Sequence, residues 1–472
     1  MNILVLEAST SSAKAMVYAV SRQVLALRTI EYPANISDGA EQDAEGVLHA
    51  VLALGQEISR GYSIDAIALC GAWHSLLVCD EKMRPVGKVL SWQYMGAAET
   101  AKSIRSNKAL SDELYYDTGC MVHAIYPVYK MAYLREQGLD TGNIHVCGQS
   151  SYIFWRLTGK RWTTACMASG SAFLNSGEQD YNQRSLEIAG IAKGQLGEIH
   201  EPSETAPLEK EFASLLGVKA GIPVILPCAD GALNQIGSLA GENDMTLSVG
   251  TSAALRLNIR SGELVNERKT TWKYLSPHSW MIGAATSGAA NCVNWFRQNL
   301  AGNTLSFSDL ETESIIEADR PIFMPFLFGE RCPGWNDDKN AVFHGVRPQH
   351  TLFSLYGSLL EGVLFNIYQC YLEICLASRQ PERILISGGI LKSALWLQMA
   401  ADIIGMPLTC DITDQSSMMG AAYFAEEILT GYRITSGEHG HIILPDAQKN
   451  TYYKERYDYY LEYYYYGERQ GL

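Results

Sequence analysis

Residues 3–20 read ILVLEASTSSAKAMVYAV, an apolar run, a turn of small hydroxyl residues and a second apolar run. Two strands joined by a tight turn fit this pattern, and LALRTIEY (25–32) supplies a third, so the chain is expected to open on an antiparallel meander. The plan returns about 240 residues later in MTLSVGTSAALRLNI (245–259), where a strand enters a Thr/Ser/Gly turn and another strand leaves it. Such a repeat implies a duplicated domain plan. The break is placed near Asn243 in the stretch GENDM, giving a first domain of residues 1–242 and a second of 243–472. Length agrees, because 472 residues exceed one ordinary hydrophobic core.

Working outward, residues 38–60 carry apolar side chains at helical spacing, including Val47, Val51 and Leu54. IDAIALCGAW (64–73) follows as a buried strand, so the helix is a crossover back onto the same sheet. RILISGGILKSALWLQMAADIIGMPLTC (383–410) reads as strand, Gly-Gly turn, amphipathic helix and strand, and SSMMGAAYFAEEILTG (416–431) as a further helix. This is α/β alternation. Near the end, Tyr453, Tyr457, Tyr460, Leu461 and Tyr464 recur at helical spacing, which predicts a docked helix rather than an aromatic ligand platform.

Composition narrows the function classes. With 47% hydrophobic and 19% charged residues the chain folds. Its net charge of −14 argues against nucleic acid and acidic membranes as partners, since both need clustered Lys and Arg. The N-terminal stretch has no basic leader before its short apolar run, no later segment reads as a membrane span, and eleven scattered cysteines form no CxxC pair. A cytoplasmic location with reduced thiols is the expectation. Oligomeric state is open, a homodimer included.

The sequence holds no GxxxxGK[ST], no GxGxxG after a strand, no HRD with DFG, no HExxH and no GxSxG. An anionic ligand on so acidic a chain then needs backbone N–H groups, helix N-termini and a divalent cation. What remains are Thr/Ser/Gly turns in hairpins and after strands, among them the hairpin ILVLEASTSSAK (3–14) and the strand-Asp-Gly-helix element PCADGALNQIGSLAG (227–241). On residue type alone the hairpin is equally a plain turn, and Asp230 equally a helix N-cap.

Taken in order along the whole chain, these segments resemble the FGGY carbohydrate kinases, a branch of the actin-like ATPase superfamily. The resemblance implies an α/β fold of two actin-like (ribonuclease H-like) domains flanking a catalytic cleft, with sugar held mainly by the first and ATP mainly by the second. It further implies ATP-dependent phosphorylation of a hydroxyl on a small sugar or sugar acid. LEASTSSAK resembles the family's opening phosphate hairpin, which assigns Thr10, Ser11 and Lys14 to ATP. Glu7, with Asp230, is thereby assigned to Mg²⁺ through water. Two residues depart from the pattern, Glu7 in place of Asp and Ser9 in place of Gly.

CGAWHSLLVCDEKMRPVGKVLSW (70–92) is similar to the family's sugar-contacting stretch and implies Trp73 and His74 as substrate residues. After Trp92 the family continues with a sugar-binding Asp and Arg, whereas this chain has Tyr94 and Gly96. Thr164 likewise stands where many relatives carry Asp. PCADGALNQIGSLAG resembles the element that supplies the catalytic base, so Asp230 is implied as base, substrate ligand and metal neighbour. A sugar hydroxyl hardly ionises at neutral pH, so a placed carboxylate is needed to orient it and accept its proton.

LSVGTSAALR looks like the second phosphate hairpin, implying Gly250 and Thr251, and LISGGILKSALWLQ like the adenosine motif, implying Gly388, Gly389 and Ser393. Ala289 and Ala290 stand where close relatives often have glycines. GERCPGW (329–335) resembles a signature of the gluconate and related branch, with a supporting rather than catalytic role. A gluconate-like acid is therefore the first substrate expected and a xylulose-like ketopentose the second. The rivals are a weakened nucleotide or sugar sensor of the same fold, and an actin-like chaperone ATPase without sugar dependence.

Overall fold

A computed structural model describes residues 1–260, 268–314, 319–411, 413, 415–435, 437 and 439–470. Strand β1 (Asn2–Ala8) pairs antiparallel with β2 (Ser12–Ala19), and β2 with β3 (Gln23–Glu31), forming the opening meander. Strand β1 is buried along nearly its whole length, so it reads as a continuous apolar run, while β3 is the mostly exposed edge. Helix α1 (Ala44–Ser59) starts at Asp43, whose side chain accepts the Glu45 N–H, and buries Val47, Leu48, Val51, Leu54 and Ile58. The chain then returns in β4 (Ala66–Gly71), parallel to β1.

Helix α2 (Pro127–Glu136) buries its first six residues. The sheet extends through β5 (Thr205–Pro207) and β6 (Pro223–Ile225) in the order β5-β6-β4-β1-β2-β3, and the two-residue strand β7 (Cys228–Ala229) pairs parallel with the end of β4. Helix α3 (Asp230–Gly237) leaves directly from β7.

The chain divides into two compact units: Met1–Leu239, Lys273–Met281 and Thr413–Ser436 make the first, and Ala240–Trp272, Ile282–Ile412 and Gly437–Leu472 the second. In the first, helix Ser416–Thr430 crosses α3 backbone to backbone. A Cβ on Gly237 would stand 1.8 Å from the Ser416 carbonyl oxygen, and one on Gly420 would stand 1.9 Å from that of Leu233. Only glycine permits this approach.

In the second unit β8 (Asp244–Val249) pairs antiparallel with β9 (Ala253–Ile259) and parallel with β10 (Arg383–Gly388). Strands β11 (Leu408–Cys410) and β12 (Ile442–Ile443) continue the order β9-β8-β10-β11-β12. A hairpin followed by a parallel strand on its first strand is thus common to both units, β2-β1-β4 in one and β9-β8-β10 in the other. Helix α4 (Leu352–Ala377) is long and apolar enough to cross a bilayer, which the sequence reading did not single out; most of it is buried inside the protein, as in a core helix. Helix α5 (Ala394–Ile404) links β10 to β11. On α6 (Ala447–Gln470) Tyr453, Tyr457, Tyr460 and Tyr464 are buried, two of them against Phe365 of α4, while Leu461 is half-buried.

Candidate active site

Parallel strands β1, β4 and β7 end together. Glu7 and Cys70 pair in register, as do Cys70 and Cys228, and the next row is Ala8, Gly71 and Ala229. Beyond that row β1 enters the hydroxyl hairpin, β4 enters Ala72-Trp73-His74, and β7 enters Asp230. The carboxyl ends of parallel strands are where open α/β sheets take their ligands, because loops and helix N-termini converge there. Three segments far apart in sequence therefore bring Glu7, His74 and Asp230 to one edge.

Glu7 is buried at 3% exposure, and both its oxygens are engaged. Oε1 accepts from Lys14 Nζ at 3.0 Å, across the β1–β2 hairpin, and Oε2 accepts from Ser417 Oγ at 2.9 Å. Burial alone pulls the Lys14 pKa down, but Glu7, with smaller contributions from Cys70 and Asp230, holds it above the usual lysine value. Cys70 lies fully buried under the pair. Desolvation pushes its thiol far up, and Glu7 and Asp230 push it further, so it is neutral at pH 7. Lys14 is the cation among these acids.

Asp230 is the first residue of α3, one position inside the N-cap Ala229, and its Oδ1 accepts the Gly231 N–H at 2.7 Å. It lies one position inside the cap rather than on it.

Ser9 takes no left-handed backbone. Its Oγ donates to the Ser12 carbonyl at 2.8 Å and accepts the Ser12 N–H at 3.0 Å, so this hydroxyl closes the hairpin on itself. The Thr10 carbonyl accepts from Ser37 Oγ and Gln42 Nε2, and its Oγ1 accepts from Trp92 Nε1 at 3.0 Å. Ser11 is exposed at the tip. The Trp92 loop is thus tied to the hairpin, a contact that sequence spacing does not announce.

Trp73 is buried, donates its indole N–H to the Cys166 carbonyl at 2.9 Å and lies 4.9 Å from the Tyr274 ring. His74 sits at φ +66°, an uncommon backbone for a side chain of its size. Its Nδ1 is 2.5 Å from the Gly170 carbonyl and must donate there. Tyr126 and Tyr274 stand edge-on to the imidazole at 5.2 and 5.7 Å and bond each other through their hydroxyls at 2.8 Å. Tyr94 is half-buried, and burial followed by a hydrogen bond to Tyr133 pushes its hydroxyl up to about 12. A Cβ on Gly96 would meet the Tyr94 Oη at 2.4 Å. The tyrosine ring fills the space a side chain at 96 would need. Thr164 caps the helix Ala165–Ser169, its Oγ1 accepting the Met167 N–H and donating to the Pro227 carbonyl.

In the second unit Gly250 and Thr251 form the β8–β9 turn, and their carbonyls accept the Ala290 and Asn291 N–H groups that open the helix Ala290–Asn299. Gly388 has φ +95°, and a Cβ there would stand 2.4 Å from the Val249 carbonyl oxygen, so β8 itself requires this glycine; Gly389 has room, with its nearest neighbour at 3.8 Å. Ser393 Oγ accepts the Trp396 N–H as the cap of α5. Within GERCPGW, the buried Glu330 pairs with Lys339 at 2.9 Å and accepts from Tyr464 at 2.6 Å, anchoring the C-terminal helix.

Among the described residues no group of three or more His, Cys, Asp or Glu forms a metal cage. Glu7 and Asp230 nevertheless fit a hard cation that keeps several waters and takes phosphate oxygens, which is how Mg²⁺ binds beside nucleotides. With both Glu7 oxygens already engaged, contact through water suits this pair. A cavity of ≈ 1240 Å³ lies in the first unit, lined by Trp162, His200 and Trp280 among others; Cys166, whose carbonyl holds Trp73, borders it, while Glu7, Lys14, Trp73, His74 and Asp230 do not. Sequence reasoning missed Ser417, Tyr126, Tyr274 and Lys130. Only Lys130 carried a signal, as a lone cation in the run AIYPVYKMAY.

Residues 2–237 match the N-terminal domain of the FGGY family of carbohydrate kinases, and residues 245–426 match its C-terminal domain. The chain is 26% identical to a gluconokinase of Bacillus subtilis (strain 168), over 89% of this chain and 86% of that protein. It is 24% identical to a xylulose kinase of Escherichia coli (strain K12), over 96% of both. Its fold is that of a gluconate kinase from Lactobacillus acidophilus, with a TM-score of 0.93 at 24% identity over 99% and 98% of the two chains.

Proposed function

Because the chain belongs to the FGGY family of carbohydrate kinases, we propose that this ATP-dependent sugar kinase phosphorylates a hydroxyl of a gluconate-like sugar acid, with Asp230 as the base. A xylulose-like ketopentose is the second acceptor on this reading. The observation that carries it is the shared edge of β1, β4 and β7, which gathers Glu7 with Lys14, Trp73 with His74, and Asp230. The gluconokinases among its relatives support the choice of acceptor.

The acceptor hydroxyl donates to the Asp230 carboxylate and is aimed by it. As the oxygen bonds to the γ-phosphorus of ATP, its proton passes to Asp230 and the bond to ADP breaks. His74 meets a second hydroxyl, and the Trp73, Tyr126 and Tyr274 rings hold the imidazole in place. On this reading Lys14 and the N–H groups of Thr10 and Ser11 face phosphate oxygens. Bound Mg²⁺ near Glu7 and Asp230 would neutralise phosphate charge. A cytoplasmic setting suits this chemistry.

ADP release measured across a panel of sugars and sugar acids tests the proposal. Stimulation of about tenfold or more by one acidic or ketose acceptor is expected on general-base grounds. No stimulation across the panel would favour a sensor of the same fold.

A further inference from the structure

Lys130 lies in α2 with 0% of its surface exposed. Its neighbours on α2, Val128, Tyr129, Met131 and Ala132, are buried too. An ammonium group in such surroundings is unfavourable unless its protons are taken up, and a methionine would fill the same space. Burial pulls its pKa well below the usual lysine range.

The acceptors are what mark this residue. Lys130 Nζ donates to the His74 carbonyl at 2.8 Å, to the Ser91 carbonyl at 2.5 Å and, at longer range, to the Leu90 carbonyl at 3.4 Å. All three belong to the two segments that present Trp73-His74 and Trp92-Tyr94, and none belongs to α2. His74, at φ +66°, is thereby held from two sides, by Gly170 at its ring and by Lys130 at its carbonyl. Ser91 is gripped similarly, its Oγ donating to the Gly39 carbonyl while its own carbonyl takes Lys130. The next residue, Trp92, reaches the phosphate hairpin through Thr10.

We propose that Lys130 is a positioning residue for the phosphoryl acceptor, a buried amino group whose hydrogen bonds lock the His74 and Ser91 segments to one another and so set where the acceptor's hydroxyls are received. It touches neither substrate. This inference rests on the kinase reading above.

The test compares wild type with Lys130→Met, which keeps the volume and removes the donors, and with Lys130→Gln, whose amide keeps two. In Lys130→Met the KM for the acceptor is expected to rise by about 10- to 100-fold, with KM for ATP within about twofold, and Lys130→Gln should fall between. A folded Lys130→Met with acceptor KM within twofold of wild type, or one in which both KM values rise together, overturns the proposal. Should Lys130→Met not fold, Lys130→Gln is read by the same criteria; if neither folds, the residue is a structural one and the proposal is overturned. If wild type phosphorylates nothing in the panel, the parent reading falls, and hydrogen exchange then decides on Lys130. Faster exchange in Lys130→Met confined to residues 72–77 and 90–95 sustains the clamp, and unchanged exchange there refutes it.

Discussion

Gly420→Ala tests how tightly the chemistry depends on a helix crossing remote from any ligand. The new methyl would stand 1.9 Å from the Leu233 carbonyl oxygen, where ordinary contact begins at 3.4 Å, so the two helices must part by about 1.5 Å. Helix α3 carries Asp230 at its head, and the partner helix carries Ser417, which bonds Glu7. If α3 takes half of the movement, Asp230 shifts by about 0.8 Å, a misplacement that lowers kcat roughly 30- to 100-fold. Overpacking of this kind also costs about 1–3 kcal/mol of stability. Both effects are read from acceptor-dependent ADP release and thermal unfolding of the same preparation. Gly194→Ala is the control, since a Cβ there meets nothing within 4 Å. A fully folded Gly420→Ala variant turning over within threefold of wild type would refute the reasoning.

Lys14→Met leaves the buried Glu7 without its cation and should cost about 3 kcal/mol, as removal of one partner of a buried pair does. The Lys14 pKa is raised on folding, so its contribution is complete below the unfolded value of 10.5 and is lost as pH rises through the higher folded value. Denaturant titrations of wild type and variant should therefore differ by a constant amount from pH 7 to 9.5 and converge above 10.5; divergence with rising pH contradicts the assignment. Gly96→Ala should push the Tyr94 ring aside and change the acceptor KM by about fivefold or more with KM for ATP unmoved, whereas equal values would detach Tyr94 from the acceptor.

The fold was readable where residue pattern and backbone need coincide. The run 3–20 has an apolar strand on each side of a hydroxyl turn, and its echo at 245–259 gives the second hairpin, so both sheets start where expected. The strand-to-helix step at Asp230 was legible because strand, Asp-Gly and helix follow one another in one short string. Contacts that depend on distant segments were not. Nothing near Glu7 in sequence points to Ser417, and nothing near His74 points to Gly170 or Lys130. Tyr94 and Gly96 stand where a sugar-binding Asp and Arg were expected, and the approach of the Tyr94 hydroxyl to position 96 was not legible from that pattern. Gly388 was assigned from the adenosine motif, and its φ and the Val249 carbonyl require glycine there in any case.

The most direct test of the account is Asp230→Asn, which keeps the shape of the side chain and removes its capacity to take a proton. Acceptor-dependent ADP release should fall by about 10²- to 10⁴-fold while calorimetric ATP binding and the unfolding temperature stay near wild type. Turnover at the wild-type rate in that variant would contradict the central claim.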